Sequence, residues 1–323
     1  MRSIFLGSDV QINRVYPESV KASLEAVAGL ERRVYTKEDT EDFSDVEYIF
    51  STWGMPHFTV SEIKSRFPRL KGVFYAAGTV QGFAREFLEC GVRVYSAWAA
   101  NAIPVAEYTV AQIILANKGF FPSQRLASVG KRDEAIKVFS NYKGNFNATI
   151  GIIGCGMIGS LVCEMLKAYQ LRVLAFDPFL SDERAEALGV LKVSLDELFS
   201  RCEVVSNHLA NNVQTVGILK GEHFEKMLPY ATFINTGRGA QVVEEDLIRV
   251  LEARPDLTAL LDVTYPEPPE ENSPFYRLDN CILTPHIAGS SSDEVHRMAE
   301  YMLEEFKNPE KYEVTLKMLE TMA

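Results

Sequence analysis

Cysteine is scarce in this chain and badly placed for a metal. The five thiols, Cys90, Cys155, Cys163, Cys202 and Cys281, are scattered and odd in number, without the paired spacing of a zinc or iron–sulfur site. A disulfide framework is therefore not expected, no metal is suggested, and reduced thiols in the cytoplasm are the plain reading. Long apolar runs are missing as well. Nothing approaches the ~20 residues of a membrane span, and the opening MRSIFLGSDVQINR carries too short an apolar stretch for a secretory signal. Positive charge is in deficit, with 33 Lys and Arg against 44 Asp and Glu. No basic stripe is available for a phosphate backbone, so nucleic acid is not expected as a partner. Repeats of fixed period and low-complexity tracts are absent too.

What remains is the composition of an ordinary globular protein, 47% hydrophobic and 24% charged, in a chain long enough for two domains. Short β-rich runs alternate with helical patterns in the first hundred residues. SIFLG, RRVYT, EYIFST, GVFYAA and VRVYSA read as strands; ESVKASLEAVAGL, TVSEIKSRF and GFAREFLEC have helical spacing. Residues 101–120 read as one long helix, and 122–147 as helix plus loop. A second series follows, with strands TIGIIG, LRVLAF, CEVVSN, TFINT, LTALLDV and NCILT. Their near-continuous apolar character suits strands covered on both faces. After Gly289 an amphipathic helix and an acidic, Met-rich tail are expected to pack back on the first domain. The expected fold class is α/β, with two Rossmann-like or flavodoxin-like domains, parallel sheets flanked by helices, and a cleft between them.

The most specific stretch is TIGIIGCGMIGSLVCEMLKAYQLRVLAFDP. Gly154, Gly156 and Gly159 form G-x-G-x-x-G between a strand and a helix, with Met157 and Ile158 opening that helix. The spacing provides a tight turn, bare backbone for a pyrophosphate and close packing of helix on sheet. The first N–H groups of the helix then face the phosphates. A second strand ends in Asp177, whose carboxylate can bind both hydroxyls of an adenosine ribose and repels a 2′-phosphate. With no Lys or Arg at 178–180, the expected cofactor is NAD rather than NADP.

Three later segments each end a strand with a polar residue: Arg238 in TFINTGRGA, Glu267 in LLDVTYPEPP and His286 in CILTPHIAG. In an open parallel sheet, ligands bind beyond the carboxyl ends of the strands, where the glycine loop also leaves. Taken singly these are commonplace residues, a loop-bracing Arg, a solvated Glu and a structural His. Together they can transfer a proton alongside a hydride. Imidazole ordinarily titrates near neutral pH, a carboxylate on its other nitrogen fixes the tautomer, and a planar guanidinium suits a substrate carboxylate.

The runs GIIGCGMIGS, AFDP, INTGRGAQVVEEDLI, LDVTYPEPP and ILTPHIAG, spanning 149–289 in order, resemble the D-isomer-specific 2-hydroxyacid dehydrogenase family. The resemblance implies a catalytic Arg238–Glu267–His286 set, with the histidine as general acid/base. It further implies Thr236 and Asp262 as cofactor contacts, Asp262 on the nicotinamide carboxamide, and the amides of Ala77 and Gly78 as holders of the substrate carboxylate beside Arg238. It implies a small 2-keto or 2-hydroxy acid as substrate, and a substrate domain of 1–100 plus 288–323 around an NAD-binding domain of 101–287. A homodimer through the NAD-binding domain is implied as well. Glu267, where related formate dehydrogenases carry Gln, favours a hydroxyacid over formate.

The chain departs from the pattern at Val80, Gln81 and Phe83, where the family usually has Asp or Asn. It departs again at Ala210 and Asn212, where the family has Pro and Thr. Trp53 and His57 follow a strand of the first domain and are candidates for touching the substrate side chain. A different class of function fits the same set: an NAD(H)-sensing interaction protein, corepressor-like, with little turnover.

Overall fold

Two short turns explain much of the first half of the molecule. The helix Glu18–Ala28 buries Val20, Leu24 and Ala28, one face at four-residue spacing, and stops at Gly29. Gly29 is left-handed, and a Cβ there would lie 2.6 Å from the Met1 carbonyl oxygen. The helix Val60–Arg66 begins with a reciprocal cap between Thr59 and Glu62. The computed structural model of the chain describes residues 1–321. It divides into two units, Met1–Asn101 with the chain from Ser290 on, and Ala102–Gly289.

In the first unit β1 (Ser3–Leu6), β2 (Leu30–Tyr35), β3 (Tyr48–Ser51), β4 (Gly72–Tyr75) and β5 (Arg93–Ser96) pair in parallel, in the order β5-β4-β3-β1-β2. Phe50 stacks on Phe74 and Phe74 on Tyr95 across one face of this sheet. Phe306 of the helix His296–Lys307 meets Phe74 edge-on, at 5.2 Å between ring centroids. That helix buries Met298, Ala299 and Met302 in the same core, and Val314 and Leu319 beyond it join them, while residues 322–323 of the tail lie outside the described residues.

The second unit holds β6 (Thr149–Ile153), β7 (Arg172–Phe176), β8 (Leu191–Lys192), β9 (Val204–Asn207), β10 (Thr232–Asn235), β11 (Thr258–Leu261) and β12 (Cys281–Leu283). All pair in parallel, in the order β12-β11-β10-β9-β6-β7-β8. Alternate side chains feed two cores. Val205, Phe233, Ala259 and Leu261 lie on one face, and Val204, Ile234 and Leu260 on the other. Burial on both faces is what made these strands read as unbroken apolar runs. The chain order reverses between β6 and β9, which opens a crevice at their carboxyl ends.

Two features differ from expectation. The long helix ends early, at Asn117, because Gly119 adopts φ +61°. A Cβ there would lie 2.3 Å from the Tyr142 ring, and two shorter helices, Phe120–Ser128 and Arg132–Phe139, follow. The edge strands β8 and β13 (Glu313–Val314) were also not foreseen. Each has two residues, too few to show a period, and β13 pairs antiparallel with β5.

Candidate active site

The three glycines after β6 do three different jobs. Gly154 has φ +85°, and a Cβ on it would lie 2.9 Å from the His208 backbone, which arrives at the end of β9. A Cβ on Gly159 would lie 1.9 Å from the Gly154 carbonyl oxygen, so helix Met157–Leu166 can sit this close to the strand only with glycine there. Gly156 faces open space, with nothing within 4 Å of a built Cβ. It precedes the helix with no side-chain cap, so the first-turn N–H groups of Met157 and Ile158 have no capping side chain. Asp177 ends the next strand, accepting from Cys155 N–H at 2.7 Å and Phe179 N–H at 2.8 Å. Bare backbone, open space and an acidic residue on one rim are what an NAD pyrophosphate and ribose require.

On the other side of the crevice Glu267 and His286 meet. His286 Nδ1 and Glu267 Oε1 are 2.7 Å apart, at the rim of a cavity of about 600 Å³ that Thr264, Pro268, Tyr276 and Thr284 also line. His286 is in the left-handed region, φ +54°, which for a residue other than glycine costs about 1–3 kcal/mol. Asp262 holds it there. Its backbone carbonyl accepts from His286 N–H, and its buried carboxylate accepts from Thr284 Oγ1 at 2.6 Å, Ile287 N–H at 2.9 Å and Ala288 N–H at 3.0 Å. Tyr108 Oη lies 3.1 Å from the Thr284 hydroxyl and backs this clamp. The Ala288 bond is the only one of the three on Oδ2, which keeps lone-pair capacity for a carboxamide N–H.

Arg238 stands after β10 with a side chain that water reaches but protein largely surrounds. Partial burial lowers its pKa and the Glu267 charge opposes this, leaving a cation. Its backbone is fixed by amides: N–H donates to Gln241 Oε1 at 3.1 Å, and the carbonyl accepts from Asn235 Nδ2 at 3.2 Å. Thr236 arrives at the same edge, but its hydroxyl is buried against His208 Nδ1 and Thr109 Oγ1. Only its backbone remains to meet a ligand.

In the first unit, the Ala77 N–H donates to the Tyr75 carbonyl at 2.9 Å. Gly78 N–H meets no acceptor among the described residues. The carbonyls of both take the Ser96 hydroxyl, which fixes the loop. Val80 and Phe83 are buried in the core, so these departures from the family pattern serve packing. Trp53 carries the Arg14 guanidinium over its ring at 5.4 Å, and His57 Nε2 is bonded to Glu86.

A family model described as D-isomer specific 2-hydroxyacid dehydrogenase, NAD binding domain, matches residues 111–288, more than half of the chain. The chain belongs to this family. Its NAD-binding domain takes NAD as cofactor, consistent with the glycine cradle and Asp177. D-3-phosphoglycerate dehydrogenase of Archaeoglobus fulgidus is 34% identical over 203 residues, 63% of this chain and 38% of that one. The chain thus spans well under half the length of that relative. D-mandelate dehydrogenase of Rhodotorula graminis superposes with a TM-score of 0.78 at 20% identity, over 95% of this chain and 93% of its own. NAD-dependent formate dehydrogenase of Staphylococcus aureus, solved with NAD, gives 0.73 at 23% identity, over 97% and 96%. At those identities the two structures show the fold alone.

Several residues that brace the Arg238 turn and the loop after β9 escaped sequence reasoning. Asn207 Nδ2 donates to Asn235 Oδ1 and to Gln241 Oε1, and Gln241 Nε2 to the carbonyls of Leu209 and Ala210. All three amides are buried, and together they set both the Arg238 turn and the loop after β9. The available signal was an Asn ending two successive buried strands, VVSN and TFIN, where apolar residues are the rule. His208 is likewise buried, with Ser206 Oγ 2.9 Å from Nε2. Desolvation pushes its pKa from 6.5 down to about 3.

A depressed native value means that the fold holds the neutral ring. The contribution of His208 is therefore whole above pH 6.5 and is lost as the pH falls toward 3. Replacing His208 with Asn should reduce the loss of unfolding free energy between pH 7 and about 4.5 by about 2 kcal/mol. Denaturant titrations at both pH values check it, and an unchanged loss contradicts it.

Proposed function

We propose that this protein is an NAD-dependent oxidoreductase that interconverts a small 2-keto acid and the corresponding D-2-hydroxy acid. The observation that carries the reading is the 2.7 Å contact between His286 Nδ1 and Glu267 Oε1, on the strand edge that also presents the glycine cradle and Arg238. NADH bound at that cradle supplies the hydride. His286 Nε2 gives the proton to the carbonyl oxygen in reduction and takes it back in oxidation. Glu267 accepts from Nδ1–H, fixes the ring and balances its charge. Arg238 binds the substrate carboxylate with its planar fork and draws charge toward the adjacent carbonyl oxygen.

Asp177 takes the ribose hydroxyls, Met157 and Ile158 the pyrophosphate through their amides, and Asp262 the carboxamide while it clamps the His286 loop. We assign the unit Met1–Asn101 plus the chain from Ser290 as the substrate-binding domain, with the Gly78 amide as a carboxylate donor. A homodimer through the NAD-binding domain is part of the same reading. Phe120, Val129, Ile136, Phe139 and Phe146 leave an apolar surface exposed along 120–146 that a second copy would cover. Sedimentation velocity reads that state. No helix among the described residues is long and apolar enough to cross a membrane, and the free cysteines suit the cytoplasm.

Glu267→Gln tests the proposal. It keeps the shape and removes the charge that balances the imidazolium, so kcat should fall about a hundredfold, with the NADH dissociation constant within about twofold of wild type. An unchanged kcat would remove Glu267 from the chemistry.

A further inference from the structure

We infer that Arg184 is a second determinant of cofactor choice: it braces the glycine loop and is the cation that receives a 2′-phosphate once the Asp177 charge is removed. The sequence shows no base directly behind Asp177, yet the fold brings one back. Arg184 lies in the first turn of the helix Asp182–Leu188, its N–H held by the Ser181 hydroxyl at 3.2 Å. From there the side chain returns to the glycine loop. Nη2 donates to the Cys155 carbonyl at 2.8 Å and to Ser160 Oγ at 2.8 Å, and the Ser160 hydroxyl also donates to the Cys155 carbonyl at 2.9 Å.

Asp177 and Arg184 therefore grip the same loop residue from two sides. The Cys155 N–H belongs to Asp177 Oδ2 at 2.7 Å and the Cys155 carbonyl to Arg184. The Arg184 side-chain bonds run to a carbonyl and a hydroxyl, and no ion pair to a carboxylate is found for it among the described residues. Arg184 is exposed, and its Nε and Nη1 donors have no protein acceptor among the described residues. The rim assigned to the adenosine ribose thus carries one anion and one planar cation, both bonded to the backbone of Cys155. With Asp177 ionised, a 2′-phosphate is repelled and the Arg184 charge serves only the loop. With Asp177 neutral, the same guanidinium faces a dianion with two free donor groups, the arrangement that binds phosphate well.

The test is a titration of purified protein with NADH and with NADPH, followed by quenching of protein fluorescence, so that binding is read without turnover. Four proteins are compared: wild type, Asp177→Ser, Arg184→Gln and the double variant. Asp177→Ser should bind NADPH about tenfold or more tighter than wild type. Adding Arg184→Gln should undo that gain by about tenfold, while changing NADH affinity by no more than about threefold in either background. Equal weakening of both dinucleotides by Arg184→Gln would reduce Arg184 to a loop brace and overturn the inference. Failure of Asp177→Ser to gain NADPH affinity would overturn it as well. Asp177→Asn is the second background and carries the same expectations, should the serine variant not fold. The wild-type NADH titration checks the NAD assignment separately, because its failure would appear before any variant is compared.

Discussion

Replacing His286 with Ala should lower kcat of the proposed keto-acid reduction by about 10²–10⁴-fold, while NADH should still bind with near wild-type affinity. The binding half of this result follows from where the cofactor residues stand. The glycine loop and Asp177 lie at β6 and β7, and His286 follows β12 at the far edge of the sheet. The fold should survive, because the left-handed turn is fixed by the Asp262 carboxylate through Ile287 and Ala288, not by the imidazole. His286→Asn is the companion variant. Asparagine tolerates the φ of +54° and so isolates the ring from the backbone. Both variants should lose turnover alike, as stopped-flow binding and steady-state rates can show. Recovery of activity in the Asn variant would make His286 a turn residue only.

Arg238→Ala has the second largest expected effect, a loss of about 3–4 kcal/mol of transition-state stabilisation, seen as a fall of kcat/KM by about 10²–10³-fold. In the proposed mechanism one side chain has two tasks, binding the carboxylate and polarising the carbonyl. The turn that carries it should stay in place, because Gln241 and Asn235 hold it through the Arg238 backbone. Among the described residues the one side-chain hydrogen bond given up is Nη1 to the Gly237 carbonyl, at 2.7 Å. Arg238→Lys should recover little, since an ammonium cannot reproduce the fork. Thermal melts alongside the kinetics separate the two effects. A destabilised protein with normal kcat/KM per folded molecule would contradict the assignment.

The parts of the molecule that were legible in its sequence are those that repeat a physical period or need a special backbone. Strands covered on both faces announced themselves as apolar runs, and the glycine loop by spacings that only close packing demands. Gly159, with no room for a Cβ, shows why that spacing is so specific. Arg238, Glu267 and His286 could be brought to one edge because each follows a parallel strand. What escaped was set by tertiary contact. Thr236 turns its hydroxyl inward against His208, and Arg184 comes back to the loop from the next helix. No local pattern encodes those choices. The early end of the long helix at Gly119 belongs to the same class, because the Tyr142 ring that fills the space lies far along the chain.

The most direct measurement is the loss of NADH absorbance when purified protein meets a panel of 2-keto acids: glyoxylate, hydroxypyruvate, pyruvate, a branched-chain keto acid and phenylpyruvate. Turnover of at least one, giving the D-2-hydroxy acid and lost in His286→Ala, is the predicted result. Tight NADH binding with no turnover across the panel would contradict it and turn the reading toward an NAD(H) sensor.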